Sequence, residues 1–297
     1  MSDQLLGIGV DGARGGWIVA AAFGSALKVP ETKQVHRTML WFARTDGTGD
    51  GLHRVSDWRS KQPGGKSAPM AIDVPIGLME LGGSRPCDTA CRAALPGKAS
   101  SVFPPPALFL VNAFPDGQAT ATELREVIES RRKEAAARGE DPTRIPGIST
   151  QSCSIFDKVC EANRLVRRER RSGRTSPAED WVFEVHPELC FQRMHDEAYR
   201  IPSDAEAPQL AGKKSARGQL QRMALVRDFF EDAEQQMNDL EWSVEGRLDD
   251  LLDAYAALWT ALRIRSLGIE GCKVLGPAHQ SGMPDRDDRG LLMRIVV

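Results

Sequence analysis

The stretch GIGVDGARGGWIVA, residues 7 to 20, decides how the chain begins. Apolar runs at residues 5 to 10 and 16 to 23 flank the tetrapeptide GARG, a pattern that predicts two strands joined as an antiparallel hairpin. Gly12, Gly15 and Gly16 let the hairpin turn tightly, and Arg14 is left exposed in it as a candidate substrate contact. Asp11 ends the first strand, where desolvating a carboxylate is costly unless something positive faces it. A metal ion, a phosphate-handling backbone loop and a plain turn all account for it at this level.

Outward from the hairpin, residues 35 to 42 predict a third strand and residues 52 to 58 a short helix within a polar, glycine-rich loop. MAIDVPIGL, residues 70 to 78, reads as a short buried strand ending in Asp73 and stopped by Pro75. Residues 84 to 110 are proline-rich and irregular, with one turn of helix at 88 to 94. Helical periodicity covers 122 to 138 and 151 to 171, with a break at PTRIPG. WVFEVHPEL, residues 181 to 189, alternates like a strand; residues 215 to 238 and 247 to 266 read as amphipathic helices, and LLMRIVV as a closing strand. The order predicts one α/β domain over residues 1 to 297, a central mixed sheet flanked by helices, with residues 112 to 178 as a helical insertion or cap.

At 297 residues and 41% hydrophobic content, the chain can bury a real core. The net charge of -2 gives no global attraction to nucleic acid or anionic membrane, so any such affinity must come from local clustering. Six cysteines lack both C-x-x-C spacing and the density of a disulfide scaffold, which points to thiols in a reducing compartment. No basic, apolar leader opens the chain, and its longest apolar runs fall short of the roughly 20 residues of a membrane span. The expectation is a soluble cytoplasmic protein with no membrane partner.

Four acidic sites share one kind of placement. Asp11 and Asp73 end apolar strands, Glu184 lies in a third, and DDLLDA puts Asp250 and Asp253 on one face of a helix, three residues apart. Singly, each acid has a bland explanation in a cap or a surface ion pair. Together, carboxylates converging near strand ends would repel one another, a penalty that a divalent cation removes. Hard oxygen ligands suit Mg2+ or Mn2+, and two such ions about 4 Å apart can activate water and stabilise the leaving oxygen in phosphodiester cleavage.

Seven segments carry a family resemblance: GVDGARGGWIVA, AIDVPIGL, RPCDTACR, SVFPPP, QSCSIFDKV, VFEVHPELCF and DDLLDAYAALWTA. In this order they resemble the family catalogued as domain of unknown function 429, described as predicted RNase H-like nucleases, from about residue 7 to 296. The resemblance implies an RNase H-like fold related to Holliday-junction resolvases of the RuvC type. In those, acids on the first strand, the fourth strand and the last helix hold two metals. Asp11 resembles the first-strand acid, Asp73 the fourth-strand acid, and Asp250 with Asp253 the helix pair. Glu184 resembles a supporting acid of the fifth strand, and His186 a proton carrier near the substrate.

The expected activity is therefore metal-dependent cleavage of DNA or RNA, with Mg2+ or Mn2+ as cofactor. Two alternatives share the fold or the charge pattern: a nucleotide-binding phosphotransferase of the actin-like ATPase type, and a noncatalytic nucleic-acid binder. Arg164, Arg167, Arg168 and Arg171 fall on one helical face, which suits either a phosphate backbone or plain solvent. Lys158, Lys213 and Lys214 are further candidates for phosphate contact, with Lys158 and Lys214 counted among the substrate-binding set. Arg85 and Asp88 are expected to form an internal ion pair that orders their loop.

Overall fold

In a computed structural model, residues 3–25, 35–45, 51–171, 178–201, 209–240, 247–276 and 286–297 are described. In chain order these form β1 (Gln4–Ala13), β2 (Gly16–Gly24), β3 (Val35–Arg44), α1 (Gly51–Lys61), β4 (Met70–Ile72), α2 (Pro86–Ala94) and α3 (Leu108–Ala113). There follow α4 (Ala121–Ala137), α5 (Thr150–Ser154), α6 (Phe156–Arg171), β5 (Val182–Glu184), α7 (Pro187–Ala198), α8 (Ala216–Phe229), α9 (Ala233–Asp239) and α10 (Leu248–Leu267). Short strands β6 (Val274–Leu275) and β7 (Ile295–Val296) close the order. No helix among the described residues is long and apolar enough to cross a membrane.

The chain divides into two compact units, residues 1–74, 176–274 and 296–297 in the first, and 75–175 with 275–295 in the second. The first unit holds a five-stranded mixed sheet in the order β3-β2-β1-β4-β5. β1, β2 and β3 run as an antiparallel meander, while β4 and β5 lie parallel to β1. The hairpin turn needs only Arg14 and Gly15, because Ala13 pairs with Gly16 and Gly15 takes φ 75°, a left-handed conformation that glycine adopts without strain.

The sheet has two differently used faces. On one, Trp58 of α1 packs its ring against Phe23 at 6.1 Å and Trp41 at 4.6 Å. On the other, Ile18, Ala20 and Ala22 join a core built around α10, with α7 and α8 packed on the helix. Every residue of α10 from Leu251 to Leu262 is buried, which explains a helix that is apolar nearly all round. Its large side chains each contribute about 1.5–3 kcal/mol on burial.

The second unit is helical. Arg85 and Asp88 form the expected ion pair at 2.6 Å, both buried, and Arg85 also donates to the carbonyls of Ile76 at 2.9 Å and Gly77 at 3.2 Å. This cation holds the entry to α2 through two backbone acceptors and the Asp88 carboxylate at once, so it is structural.

Several elements differ from the sequence reading for identifiable reasons. The strand expected over 181 to 189 is only β5; Pro187 starts α7, where a missing N–H and a fixed φ fit the first helical turn. The helix expected over 215 to 238 is interrupted between α8 and α9, and 151 to 171 splits into α5 and α6 at Ile155. α3 was hidden in the proline-rich region, where the sequence shows no periodicity long enough to detect.

Candidate metal centre

The centre is assembled by the alternation of β1. Gly7, Gly9 and Asp11 project from one face, and that face lies beneath α10. A Cβ on Gly9 would stand 2.1 Å from both the Ala254 carbonyl oxygen and the Leu258 nitrogen, and one on Gly7 would stand 3.2 Å from the Ala261 methyl. The helix backbone therefore rests directly on the strand. That contact sets Asp253, one residue before Ala254, over Asp11.

Asp73 reaches the same point from β4. Val10 pairs with Ile72 at the end of the parallel ladder, and the Asp73 N–H donates to the Val10 carbonyl at 3.0 Å. Asp11, still within β1, and Asp73, just past β4, thus leave the end of the β1–β4 ladder on one face, so the first strand runs two residues beyond the Asp11 end expected from the sequence. Carboxylate oxygens of Asp11, Asp73 and Asp253 all lie within 4.8 Å of one another.

Such crowding has an electrostatic cost. Burial, then the charges of Asp253, Asp73 and Asp250, push the Asp11 carboxyl well above the ordinary range. Burial likewise raises Asp73 to about 6, with the Lys213 ammonium and a hydrogen bond from Asp11 pulling the other way. Asp253 is raised to about 6 by burial, against the pull of Lys213. The set is short of positive charge, and three hard oxygen donors in this space suit Mg2+ or Mn2+.

The family profile described as protein of unknown function (DUF429) matches residues 9–277. The chain belongs to this family. No curated protein and no solved structure gives a match. The matched span of the DUF429 chain includes the three aspartates and the lysine that faces them.

That lysine is Lys213, whose Nζ lies 2.7 Å from Asp253 Oδ2. Burial opposes its charge, but Asp253, Asp73 and Asp11 together hold the ammonium above its ordinary pKa. The neighbouring Lys214 is exposed. A doublet preceding the N-cap residue Ser215 signals a nearby cation without telling which of the two turns inward. Sequence reasoning also missed Glu188, in the first turn of α7, whose charge helps raise Asp73 and Asp253. Its carboxylate accepts two hydrogen bonds of 2.8 Å from the buried Arg222 guanidinium, and nothing in the local sequence links residues 34 apart.

The remaining candidates occupy several places in the DUF429 chain. Asp250 accepts a 3.1 Å hydrogen bond from the Arg247 N–H at the start of α10, and burial raises its carboxyl, yet it lies outside the group of three. Glu184 pairs in register with Ile72, while the preceding Phe183 packs with Ile264 of α10. Alternation along β5 therefore sends Glu184 to the face opposite Asp11 and Asp73. Glu184, the expected supporting ligand, is buried on the other side of the sheet. His186 is the N-cap residue of α7, and Arg14 is exposed in the hairpin turn.

The other basic candidates belong to the second unit. Lys158 is buried and pairs with Asp157 at 2.7 Å. Arg167 donates to Asn163 at 2.7 Å and pairs with the buried Asp287 at 3.1 Å, and Arg164 donates to the Pro115 carbonyl. Two arginines of the expected phosphate-facing row are thus bound within their own unit. Arg168 is exposed, and the Arg171 side chain lies outside the described residues.

Proposed function

We propose that the chain is a metal-dependent nuclease of RNase H-like fold, in which Asp11, Asp73 and Asp253 hold Mg2+ or Mn2+. The observation that carries this reading is the meeting of three carboxylates, 242 residues apart at the extremes, within 4.8 Å. Their placement supports it further: the first strand, the end of the fourth strand and the last long helix are the positions the resemblance implies. A bound divalent ion supplies charge that makes water a nucleophile and stabilises a leaving oxygen at phosphorus.

The chain's own contribution is positional. The close seating of α10 on β1 fixes Asp253 relative to Asp11, and the β1–β4 ladder fixes Asp73 relative to both. Lys213 offers an ammonium beside an anionic phosphate, and Arg14 offers a guanidinium at the hairpin turn. Nucleic acid is the substrate class that best suits a carboxylate-held cation flanked by these cations.

Purified protein with Mn2+ is expected to cleave at least one member of a panel of single-stranded, duplex and branched DNA and RNA. Asp11→Asn is expected to remove that cleavage. No cleavage across the panel, or cleavage that survives Asp11→Asn, defeats the proposal.

A further inference from the structure

We infer that Lys213 takes the place of a second cation, so that the site accepts one divalent ion and not two. This rests on the metal-site reading above and specifies its stoichiometry. The local charge count is the starting point. Asp11, Asp73 and Asp253 carry three formal negative charges when ionised, and the Lys213 ammonium, 2.7 Å from Asp253 Oδ2, offsets one. A single divalent ion balances the two that remain on these ligands, the Glu188 charge being taken up by Arg222 and Asp250 lying outside the group of three. A second would leave excess positive charge in a poorly hydrated site, which is costly.

The loop that carries Lys213 is built to keep it there. The Ala211 carbonyl accepts from Arg222 Nη1 at 2.8 Å, and the Ala211 N–H donates to Gln221 Oε1 at 2.9 Å. The Gly212 carbonyl accepts from the Ser215 N–H at 2.9 Å and from the Ser215 hydroxyl at 2.8 Å. The Ser215 hydroxyl in turn accepts from the Gly218 N–H at 3.0 Å at the start of α8. Arg222 itself is locked by Glu188. The backbone on both sides of Lys213 is therefore fixed, and only its own side chain is left to choose a partner. It chooses Asp253, whose side chain is 3% exposed, while its own side chain is 37% exposed. With substrate bound, the same ammonium supplies the positive charge at the phosphate that a second ion would otherwise bring.

The test is calorimetric titration of Mn2+ into the full chain, which reads stoichiometry independently of activity. Wild type is expected to bind one ion at the carboxylates. Lys213→Met and Lys213→Gln are expected either to bind two or to hold the first about tenfold or more tightly, as removal of a unit charge a few Å away requires. Lys213→Arg is expected to match wild type in count. Two ions in wild type overturn the inference and leave the metal reading intact. An unchanged count and affinity in both neutral variants overturns it equally, as does an ion bound by the variants alone. No ion in any of these proteins removes the metal reading itself.

Discussion

Replacing Asp73 with Asn removes a charge from the crowded centre while keeping the side chain's shape, and it should stabilise the metal-free protein. Burial raises Asp73 from 3.8 to about 6 in the folded state. The folded protein thus binds this proton more tightly than the unfolded chain, and stability falls as pH rises from about 4 to about 6, then levels off. Full burial of the group would make the loss about 3 kcal/mol. Asp73 keeps partial solvent access, and screening reduces this to about 1–2 kcal/mol. At about 2–4 °C per kcal/mol, Asp73→Asn should melt about 2–8 °C above wild type at pH 8 in EDTA. The gap should narrow to a small remainder at pH 4, where Asp73 is neutral in the folded state and only about half ionised in the unfolded chain. Thermal melts followed by circular dichroism at pH 4, 5, 6 and 8 measure this. A variant less stable than wild type at pH 8, or a gap that does not change with pH, refutes the electrostatic argument.

Other substitutions probe how the centre is held. Gly9→Ala places a methyl 2.1 Å from α10 backbone atoms, so urea unfolding should show a loss at or beyond the upper end of the about 1–3 kcal/mol typical of overpacking. Arg222→Met leaves the Glu188 charge buried without its bidentate partner, and urea unfolding should register a loss of about 3–5 kcal/mol. Glu184→Gln, on the opposite face of the sheet, should change Mn2+ affinity by less than about twofold in calorimetry. A larger change would place Glu184 in the centre after all.

The hairpin, β3, β4 and the long helix α10 were legible in the sequence because each depends on local pattern: glycine-bounded apolar runs, a proline stop, helical periodicity; that α10 is buried all round and not amphipathic was not. Asp11 and Asp73 stood out for the same reason, as charges closing apolar strand runs, and Asp253 by its spacing from Asp250 on one helix face. Glu184 shows the limit of that logic. Its apolar surroundings marked it as buried, but the face it occupies depends on register against β4, which no local pattern reports. Lys213 and Lys214 could not be told apart before the loop's hydrogen bonds were known. The Glu188–Arg222 pair, like the seating of α10 on Gly9, joins residues distant in sequence, and only tertiary packing brings these together.

The central claim is that Asp11, Asp73 and Asp253 form a single divalent-cation centre. A crystal grown or soaked with Mn2+ and measured near the manganese absorption edge tests it most directly. The account predicts an anomalous peak with oxygens of these three aspartates about 2.0–2.2 Å away. A crystal saturated with Mn2+ that shows no peak among them, or a peak held by other residues, contradicts it.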